Sequence, residues 1–291
     1  MTASTAADTF PRLLMQHARV RPGATAIREK DLGIWQSWSW VEMLQEVGEI
    51  AAGLLQAGFR RGEHLAIIGE NRPRLYFTMC AAQCLGGVPV PMYQDAVAAE
   101  MAFVFDNAEI RFAMVEDQEQ VDKVLEIREK VPHIKRIFYD DPRGLRHYDQ
   151  PGLASYEQLR SLGQAYLKER PGAVDDEIGL GKSNDVAAMF YTSGTTGNPK
   201  GVVLGYDNLI AAGDAGAQME ALTSKEEVLA YLPMAWIGQN IFSYTQWMVC
   251  GFTVNCPESA TTVTADMREI GPTYYFAPPR VLEALLTQVM I

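Results

Sequence analysis

Cysteine and histidine are both scarce in this sequence, with only four of each among its 291 residues. No two cysteines have the Cys-x-x-Cys spacing, and no histidine lies at ligand spacing from a cysteine, which disfavours a zinc site and a disulfide framework. The pattern is typical of buried thiols in a reducing compartment, so we predict a cytoplasmic location and no metal-ligand set. The cysteines are Cys80, Cys84, Cys250 and Cys256, and the histidines, which we expect to be structural or solvated, are His17, His64, His133 and His147.

Positive charge is also in short supply: 25 lysines and arginines stand against 36 aspartates and glutamates, giving a net charge of −11. Nucleic acid as a bulk partner is excluded, because a phosphate backbone requires a basic surface. A single nucleotide is still allowed, since it needs only a local cluster of donors. An acidic run at 175–177 could hold a metal ion, but a solvated loop is the favoured interpretation.

The first residues lack a basic segment followed by an apolar core, so they do not form a secretory signal. Two uncharged runs, 75–94 and 228–257, are long enough to cross a bilayer of about 30 Å, but glycines, prolines and amides interrupt them. We therefore predict a buried helix and a buried strand in each run, and no transmembrane segment. Contact of the second run with lipid, as a peripheral membrane contact, or with a fatty substrate stays open.

Amphipathic helices and short apolar strands alternate from residue 39 to residue 140. Ser39 and Glu42 have the spacing of a helix-capping pair. Pro89 and Pro91 place one strand candidate at a sheet edge or make it a strand start. The repeated βαβ pattern predicts an α/β fold with mostly parallel sheets and helices on both faces. The strand candidates are 64–70, 88–93, 111–117 and 134–140.

Residues 141–185 are more polar, and we predict a surface excursion there, with a helix near 155–169, a loop over 170–185 and a subdomain break in this region. Beyond it the alternation resumes, and the chain ends in a helix opened by Pro279. The later strand candidates are 186–192, 201–205, 228–233, 252–257 and 273–278, with helices from about 207 and near 235–250. The apolar stripe of the last helix consists of Val281, Leu282, Leu285, Leu286 and Val289.

An apolar strand candidate leads directly into the stretch YTSGTTGNPKG, residues 191–201. Its glycines allow positive φ angles and a close approach of the backbone to a ligand, and consecutive N–H groups in such a turn bind anions. Hydroxyl groups add donors and a lysine adds positive charge, a combination that suits a polyphosphate. A plain hairpin between two strands is the structural alternative. The candidate phosphate-binding residues are Thr192, Ser193, Gly194, Thr195, Thr196, Gly197 and Lys200.

The P-loop motif, Gly-x-x-x-x-Gly-Lys-[Ser/Thr], does not fit this chain. Lys200 lies between Pro199 and Gly201, and the segment GLGKS at 179–183 would need its first glycine where Asp176 stands. An unrelated NTPase or kinase is therefore a weak hypothesis.

The stretch YTSGTTGNPKGV closely resembles the phosphate-binding signature of the AMP-forming adenylating enzymes, which include acyl-CoA synthetases, nonribosomal peptide adenylation domains and firefly-type luciferases. YLPMAWIGQN (231–240) is similar to the next motif of that superfamily. GPTYYFAPPRVLEAL (271–285) resembles the following segment of long-chain acyl-CoA synthetases, and 62–93 resembles the first subdomain. The resemblance covers essentially the whole chain. It implies an N-terminal AMP-binding domain with layered α/β/α/β/α architecture, in the fatty or aryl acyl-CoA synthetase branch.

The resemblance also implies an acid–thiol ligase reaction. A carboxylate attacks the α-phosphorus of ATP, giving an acyl-adenylate and pyrophosphate, and a thiol, usually coenzyme A, then displaces AMP. The loop would hold the β- and γ-phosphates through its hydroxyls, its amides and Lys200, with Mg²⁺ bridging them. ATP, Mg²⁺, coenzyme A and a small-molecule carboxylic acid are the implied cofactors and partners.

Trp236 stands where the superfamily commonly has a histidine or another aromatic residue. An indole is neither an acid nor a base near neutral pH, so we predict that Trp236, Ile237 and Gly238 line an apolar acyl pocket, with the tryptophan as a wall or gate. A core tryptophan that packs a helix is an equally good interpretation.

Residues 1–291 contain no Tyr-Gly-x-Thr-Glu and no Thr-Gly-Asp motif, so the superfamily's magnesium-binding glutamate and ribose-binding aspartate have no counterpart. The small C-terminal domain with its catalytic lysine is also absent, so we assign no catalytic residue. We expect an incomplete domain that is inactive alone and that self-associates through its last helix. The alternative is a naturally short protein that binds a nucleotide or an acyl chain without catalysis.

Overall fold

The computed structural model describes residues 7–192 and 199–290. The helices are α1 (Phe10–Val20), α2 (Trp40–Gln56), α3 (Pro73–Cys84), α4 (Ala98–Asn107), α5 (Gln118–Ile127), α6 (Tyr156–Glu169), α7 (Ala173–Leu180), α8 (Tyr206–Met219), α9 (Ile237–Gln239), α10 (Gln246–Cys250), α11 (Val263–Ile270) and α12 (Pro279–Met290), and a π-helical turn, Asn240–Thr245, joins α9 to α10. The strands are β1 (Thr25–Asp31), β2 (Ile34–Ser39), β3 (His64–Ile68), β4 (Val88–Met92), β5 (Phe112–Val115), β6 (Arg136–Tyr139), β7 (Leu153–Ser155), β8 (Val186–Thr192), β9 (Lys200–Gly205), β10 (Glu227–Leu229) and β11 (Thr253–Cys256).

Five parallel strands form the larger sheet, in the order β4-β3-β5-β6-β7. β4 lies at its edge, as Pro89 and Pro91 predict, because proline cannot donate to a ladder. Neighbouring residues of β3 face opposite sides of the sheet: Leu65 joins a core with α2 and α3, whereas Ala66 joins a second core with α4 and α5. Helices therefore cover both faces, which confirms the predicted α/β class.

The smaller sheet has four strands in the order β10-β11-β1-β2, of which only β1 and β2 pair antiparallel. Ile27 of β1 and Val254 of β11 pack into the same core as α2 and α3. These two helices therefore lie between the sheets, and the fold is layered as predicted. β11 lies within the predicted strand 252–257, whereas the predicted strand 228–233 is too long because β10 ends at Leu229. α1 and the hairpin of β1 and β2 were not predicted.

The polar region 141–185 contains more regular structure than the sequence analysis proposed. β7 extends the larger sheet beside β6, and α6 begins with a capping box at Ser155, where the helix was predicted. The predicted loop over 170–185 is wrong in part, because α7 forms there with Val174 and Ile178, one turn apart, both buried. The acidic run 175–177 lies on α7, and a subdomain break in this region stays a prediction.

Both uncharged runs contain a buried helix followed by a buried strand, as predicted. In the first run these are α3 and β4, and in the second they are the helical segment from α9 to α10 and then β11. Within residues 7–192 and 199–290, no helix is both long and apolar enough to cross a membrane.

The predicted strand at 273–278 is wrong. An isolated bridge between Tyr274 and Val228 is the pairing found there. Pro272 precedes this segment and Pro278 is its last residue, and neither proline has an N–H group to donate to a ladder.

The last helix, α12, begins at Pro279 as predicted, since proline suits the first turn of a helix. Of its predicted apolar stripe, Leu282 and Leu286 are 51% and 62% exposed, and Val281 and Leu285 are partly buried. Self-association through this stripe stays a prediction.

Candidate phosphate-loop and acyl site

The hairpin of β8 and β9 brings the two ends of the glycine-rich stretch together. Thr192 pairs with Lys200 at the last position before the loop, and Tyr191 pairs with Gly201. Directly opposed side chains of an antiparallel ladder share one face, so the Thr192 hydroxyl and the Lys200 ammonium lie on the same side. Both residues are exposed and available to a ligand. The predicted position of the loop, between a strand ending near Thr192 and one starting near Gly201, is confirmed.

The remaining candidate phosphate-binding residues lie outside the described part of the chain. Their contribution to phosphate binding therefore stays a prediction. They are Ser193, Gly194, Thr195, Thr196 and Gly197.

Helix α3 holds the strand that leads into the loop. The buried amide of Gln83 donates through Nε2 to the carbonyl oxygen of Ala187 on β8 at 2.8 Å. Its Oε1 accepts a hydrogen bond of 2.6 Å from the hydroxyl of Tyr244 in the π-helical turn. These two bonds fix the orientation of the amide, and they connect the phosphate-loop strand to the helical segment that follows Trp236.

Trp236 belongs to a half-buried aromatic cluster. Its indole lies over Gly238, where any Cβ would overlap the ring. Phe276 stacks on Trp236 with ring centroids 5.8 Å apart, and Phe242 stacks on Phe276 at 3.9 Å. The sequence analysis missed both phenylalanines, although the Tyr-Tyr-Phe run at 274–276 was a signal of an aromatic surface.

A cavity of about 230 Å³ lies where the carboxyl ends of β3 and β4 meet the uncharged segment that precedes Trp236. Asn71, just after β3, donates through Nδ2 to the carbonyl oxygen of Leu232 at 2.8 Å and so fixes that segment. Trp236, Ile237 and Gly238 lie outside the lining of this cavity. Their role in an acyl pocket stays a prediction.

A buried polar cluster contacts the segment around Leu232 that precedes Trp236. The hydroxyl of Tyr76 donates to Asn71 Oδ1 at 2.6 Å, and Gln239 Nε2 lies 3.2 Å from that Oδ1. Asn71, Tyr76 and Gln239 are all almost fully buried. Their hydrogen bonds therefore satisfy polar groups whose burial without a partner would be costly. Through Asn71, these hydrogen bonds connect α3 and α9 to the backbone of Leu232.

A strongly polar cleft of about 680 Å³ lies where the ends of β3, β5 and β6 approach β1. Arg72 and Arg74, at the start of α3, pair with Glu116 at 2.8 Å and with Asp140 at 3.0 Å. Glu29 of β1 faces the same cleft. Burial, reinforced by the charge of Asp140, raises the pKa of Glu29 from 4.5 to about 7. The folded protein therefore holds this carboxyl group largely protonated below neutral pH.

Replacing Glu29 by glutamine is expected to remove one source of pH dependence in stability. The folded state keeps a proton that the unfolded chain releases near pH 4.5. The free energy of unfolding therefore falls as the pH rises from 4.5 to about 7. Glutamine mimics the protonated acid and does not titrate. We expect the stability of Glu29→Gln relative to wild type to grow by about 2 kcal/mol from pH 5 to pH 8, as measured by urea unfolding.

A matched control is Glu126→Gln, which changes an exposed carboxyl group on α5. The change in its stability relative to wild type between pH 5 and pH 8 gives the effect of removing an exposed carboxyl group, and the effect of Glu29→Gln is compared with it. If the free energies of unfolding of Glu29→Gln and wild type differ by a constant amount from pH 5 to pH 8, the pKa of Glu29 is not raised in the folded protein.

Three of the four histidine rings contact backbone carbonyl oxygens. His17 is buried with Nε2 at 2.7 Å from the Met248 carbonyl oxygen, and burial lowers its pKa. His64 and His133 also contact backbone carbonyl oxygens, and His147 is exposed. In the described ranges, no group of three or more histidine, cysteine or acidic residues is arranged to hold a metal ion. The cysteines are free thiols, with Cys80, Cys84 and Cys256 buried and Cys250 partly buried.

The family model described as AMP-binding enzyme matches residues 14–290. The chain belongs to the AMP-binding enzyme family. This match confirms the family resemblance that the glycine-rich stretch indicates.

The curated relatives of this chain are considerably longer than 291 residues. The long-chain-fatty-acid–CoA ligase ACSBG1 of Bos taurus is 30% identical over 275 residues, which cover 91% of this chain and 37% of the relative. The structure of the anthranilate CoA ligase AuaEII in complex with anthranoyl-AMP superposes with a TM-score of 0.79 at 18% identity, covering 92% of this chain and 49% of that one. The N-terminal domain of FACL13 from Mycobacterium tuberculosis gives 0.73 at 20% identity, with coverages of 94% and 64%. At these identities the two structures show the fold alone.

Proposed function

We propose that this chain carries the phosphate-binding part of an acid–thiol ligase that activates a fatty or aryl carboxylic acid with ATP and transfers the acyl group to coenzyme A. The observation that carries the proposal is the hairpin base, where Thr192 and Lys200 present a hydroxyl and an ammonium on one face. Its loop has the composition of an anion-binding turn. The similarity to a long-chain-fatty-acid–CoA ligase supports the acid and thiol substrates.

In this proposal the chain's own residues bind and orient the triphosphate. Lys200 offsets charge on the β- and γ-phosphates, and Thr192, together with the loop residues 193–197, donates hydrogen bonds. Mg²⁺, when bound with ATP, would neutralise part of the charge of the phosphates. Positioning and charge stabilisation of this kind dominate catalysis of reactions at phosphorus.

We further propose that the aromatic cluster of Trp236, Phe242 and Phe276 forms one wall of the acyl site. Stacked rings offer a flat apolar surface to an alkyl chain or an aryl ring. Gly238 allows the indole to lie close to the helix backbone, so the wall depends on the missing Cβ at that position.

The Trp236→Ala variant of the full natural polypeptide is expected to change acyl selectivity. Loss of the ring removes apolar contact, and discrimination of about tenfold per lost contact is typical of apolar pockets. We expect the ratio of kcat/KM between long and short acids to shift by about tenfold, with the KM for ATP unchanged. Trp35→Ala, which removes a half-buried tryptophan from β2, is the control. Equal losses for all acids together with a raised KM for ATP would argue against the wall.

The proposal also holds that residues 1–291 do not form acyl-CoA by themselves, because the glutamate, aspartate and lysine implied by the resemblance are not among them. A non-catalytic protein that binds a nucleotide or an acyl chain is the second candidate, and it predicts the same binding without turnover in any natural form of the polypeptide. A cytoplasmic location stays a prediction.

Equilibrium binding of Mg·ATP to the 291-residue chain tests the phosphate-binding role. If the loop holds phosphates, Mg·ATP binds and magnesium pyrophosphate competes with it, whereas adenosine does not compete. Binding of adenosine as tightly as ATP, or no binding of either, would contradict the proposal.

A further inference from the structure

The strand that leads into the phosphate loop is not placed by a backbone ladder to the larger sheet. β8 lies alongside β4, yet in the described residues no hydrogen-bonded ladder joins them. The reason lies in β4: the N–H of Val88 donates toward β3, to the Glu63 carbonyl oxygen at 3.0 Å. Successive N–H positions point to opposite edges of a strand, so Pro89 and Pro91 occupy the outer edge and remove its donors.

Side-chain contacts therefore place β8 against the rest of the fold. At its start, Gln83 binds the carbonyl of Ala187, as described above. At its other end, the hydroxyl of Tyr191 donates to Oδ1 of Asn107, the last residue of α4, at 2.6 Å. The Tyr191 side chain also packs against the core formed with α4 and α5.

Tyr191 touches both strands of the hairpin immediately before the loop. Its ring lies across Gly201 on β9, where an added Cβ would be 3.2 Å from the ring. The next pair along the ladder is Thr192 and Lys200. A shift of Tyr191 would therefore move both ends of the loop together.

We propose that Tyr191 and Asn107 form a positioning pair that fixes the base of the phosphate loop against α4. The inference rests on the proposed phosphate-binding function and extends it to two residues outside the loop's donor set. Neither residue needs to touch the nucleotide. In the described residues β8 lacks a ladder on this side, so this hydrogen bond and the packing of Tyr191 hold the end of β8 that leads into the loop.

A double-mutant cycle in the 291-residue chain tests the pair. Tyr191→Phe keeps the ring and deletes the donor, and Asn107→Ala deletes the acceptor. We expect each single variant to weaken Mg·ATP binding about threefold to tenfold, and the double variant to bind no more weakly than the weaker single one, because the two changes remove the same bond. Amide hydrogen exchange at 186–192 and 199–205 should accelerate, while the thermal midpoint should change little because the bond is exposed.

The control is Tyr139→Phe, which removes a hydroxyl from the last residue of β6 in the larger sheet. It should leave Mg·ATP affinity unchanged. Unaltered affinity in Tyr191→Phe, or additive losses in the double variant, beside normal binding by the unmodified chain would overturn the positioning pair alone. Absence of Mg·ATP binding by the unmodified chain would instead overturn the proposed function and, with it, this inference.

Discussion

Replacing Lys200 by methionine is expected to slow acyl-adenylate formation by about 10²–10³-fold in the full natural polypeptide, the usual loss when one charge-stabilising group is removed. Methionine keeps the length and apolar stem of the side chain but not the charge. Lys200 is exposed at the hairpin base, so the thermal midpoint should stay within a few degrees of the wild-type value. Steady-state release of pyrophosphate, measured over ATP concentration, gives kcat and KM for the variant.

Lys182→Met is the matched control for this experiment. Lys182 belongs to the Gly-Leu-Gly-Lys-Ser segment that partly imitates a P-loop, and its side chain is exposed before β8. We expect the rate to stay within about twofold of wild type, as for a surface substitution away from the site. A large loss of rate in Lys182→Met together with a small loss in Lys200→Met would indicate that Lys182, and not Lys200, binds the phosphates.

Replacing Gly163 by alanine is expected to destabilise the protein by about 3 kcal/mol, the upper end of the cost of overpacking. Gly163 lies on α6 where this helix crosses α2, and an added Cβ would overlap the backbone of Glu49 and Gly53. A backbone neighbour cannot rotate away as a side chain can, so the helices must separate. Urea unfolding measures the change as a lower midpoint.

Gly48→Ala tests whether the loss at Gly163 comes from packing rather than from the loss of glycine. Gly48 is also in a helix, α2, and an added Cβ there has no neighbour within 4 Å. Alanine is the better helix former, so this change should stabilise by about 0.5–1 kcal/mol. A similar stability for both variants would contradict the close crossing of α2 and α6.

Elements defined by local chemistry could be predicted from the sequence. The capping pair of Ser39 and Glu42 marked the start of α2, and it forms the expected capping box. Two prolines indicated that β4 is an edge strand or a strand start, and β4 lies at the edge of the larger sheet. Apolar runs on both sides of a glycine-rich stretch predicted the strands of the hairpin. In each case the signal lies within a few residues of the feature that it predicts.

Elements that depend on distant contacts were missed. None of the six residues of β2 is fully buried and three are exposed, so this strand lacks a period-two apolar pattern. β1 pairs with β11, which lies more than two hundred residues further along the chain. The polar composition of 141–185 suggested a loop over 170–185, although the helical spacing of Val174 and Ile178, which the structure buries, was a signal of a helix.

The candidate site also contains features that the local sequence predicted and features that depend on distant contacts. Composition alone pointed to Thr192 and Lys200 as ligand-binding residues, and the ladder places them opposite each other. The contacts around them join residues far apart in the sequence: Gln83 with Ala187, and the stack of Phe242 on Phe276. Such pairs carry no local signal, because each residue alone has an ordinary core or surface pattern.

Acid-dependent exchange of pyrophosphate into ATP, catalysed by the full natural polypeptide, tests the central claim most directly, since it reports reversible acyl-adenylate formation without requiring the thiol. With Mg·ATP and a panel of fatty and aryl acids, the account predicts exchange that requires one class of acid and that falls by about 10²–10³-fold in Lys200→Met. Exchange that needs no acid, or acid-dependent exchange that is unaffected by Lys200→Met, would contradict the assignment of this hairpin as the phosphate-binding element of an acid–thiol ligase.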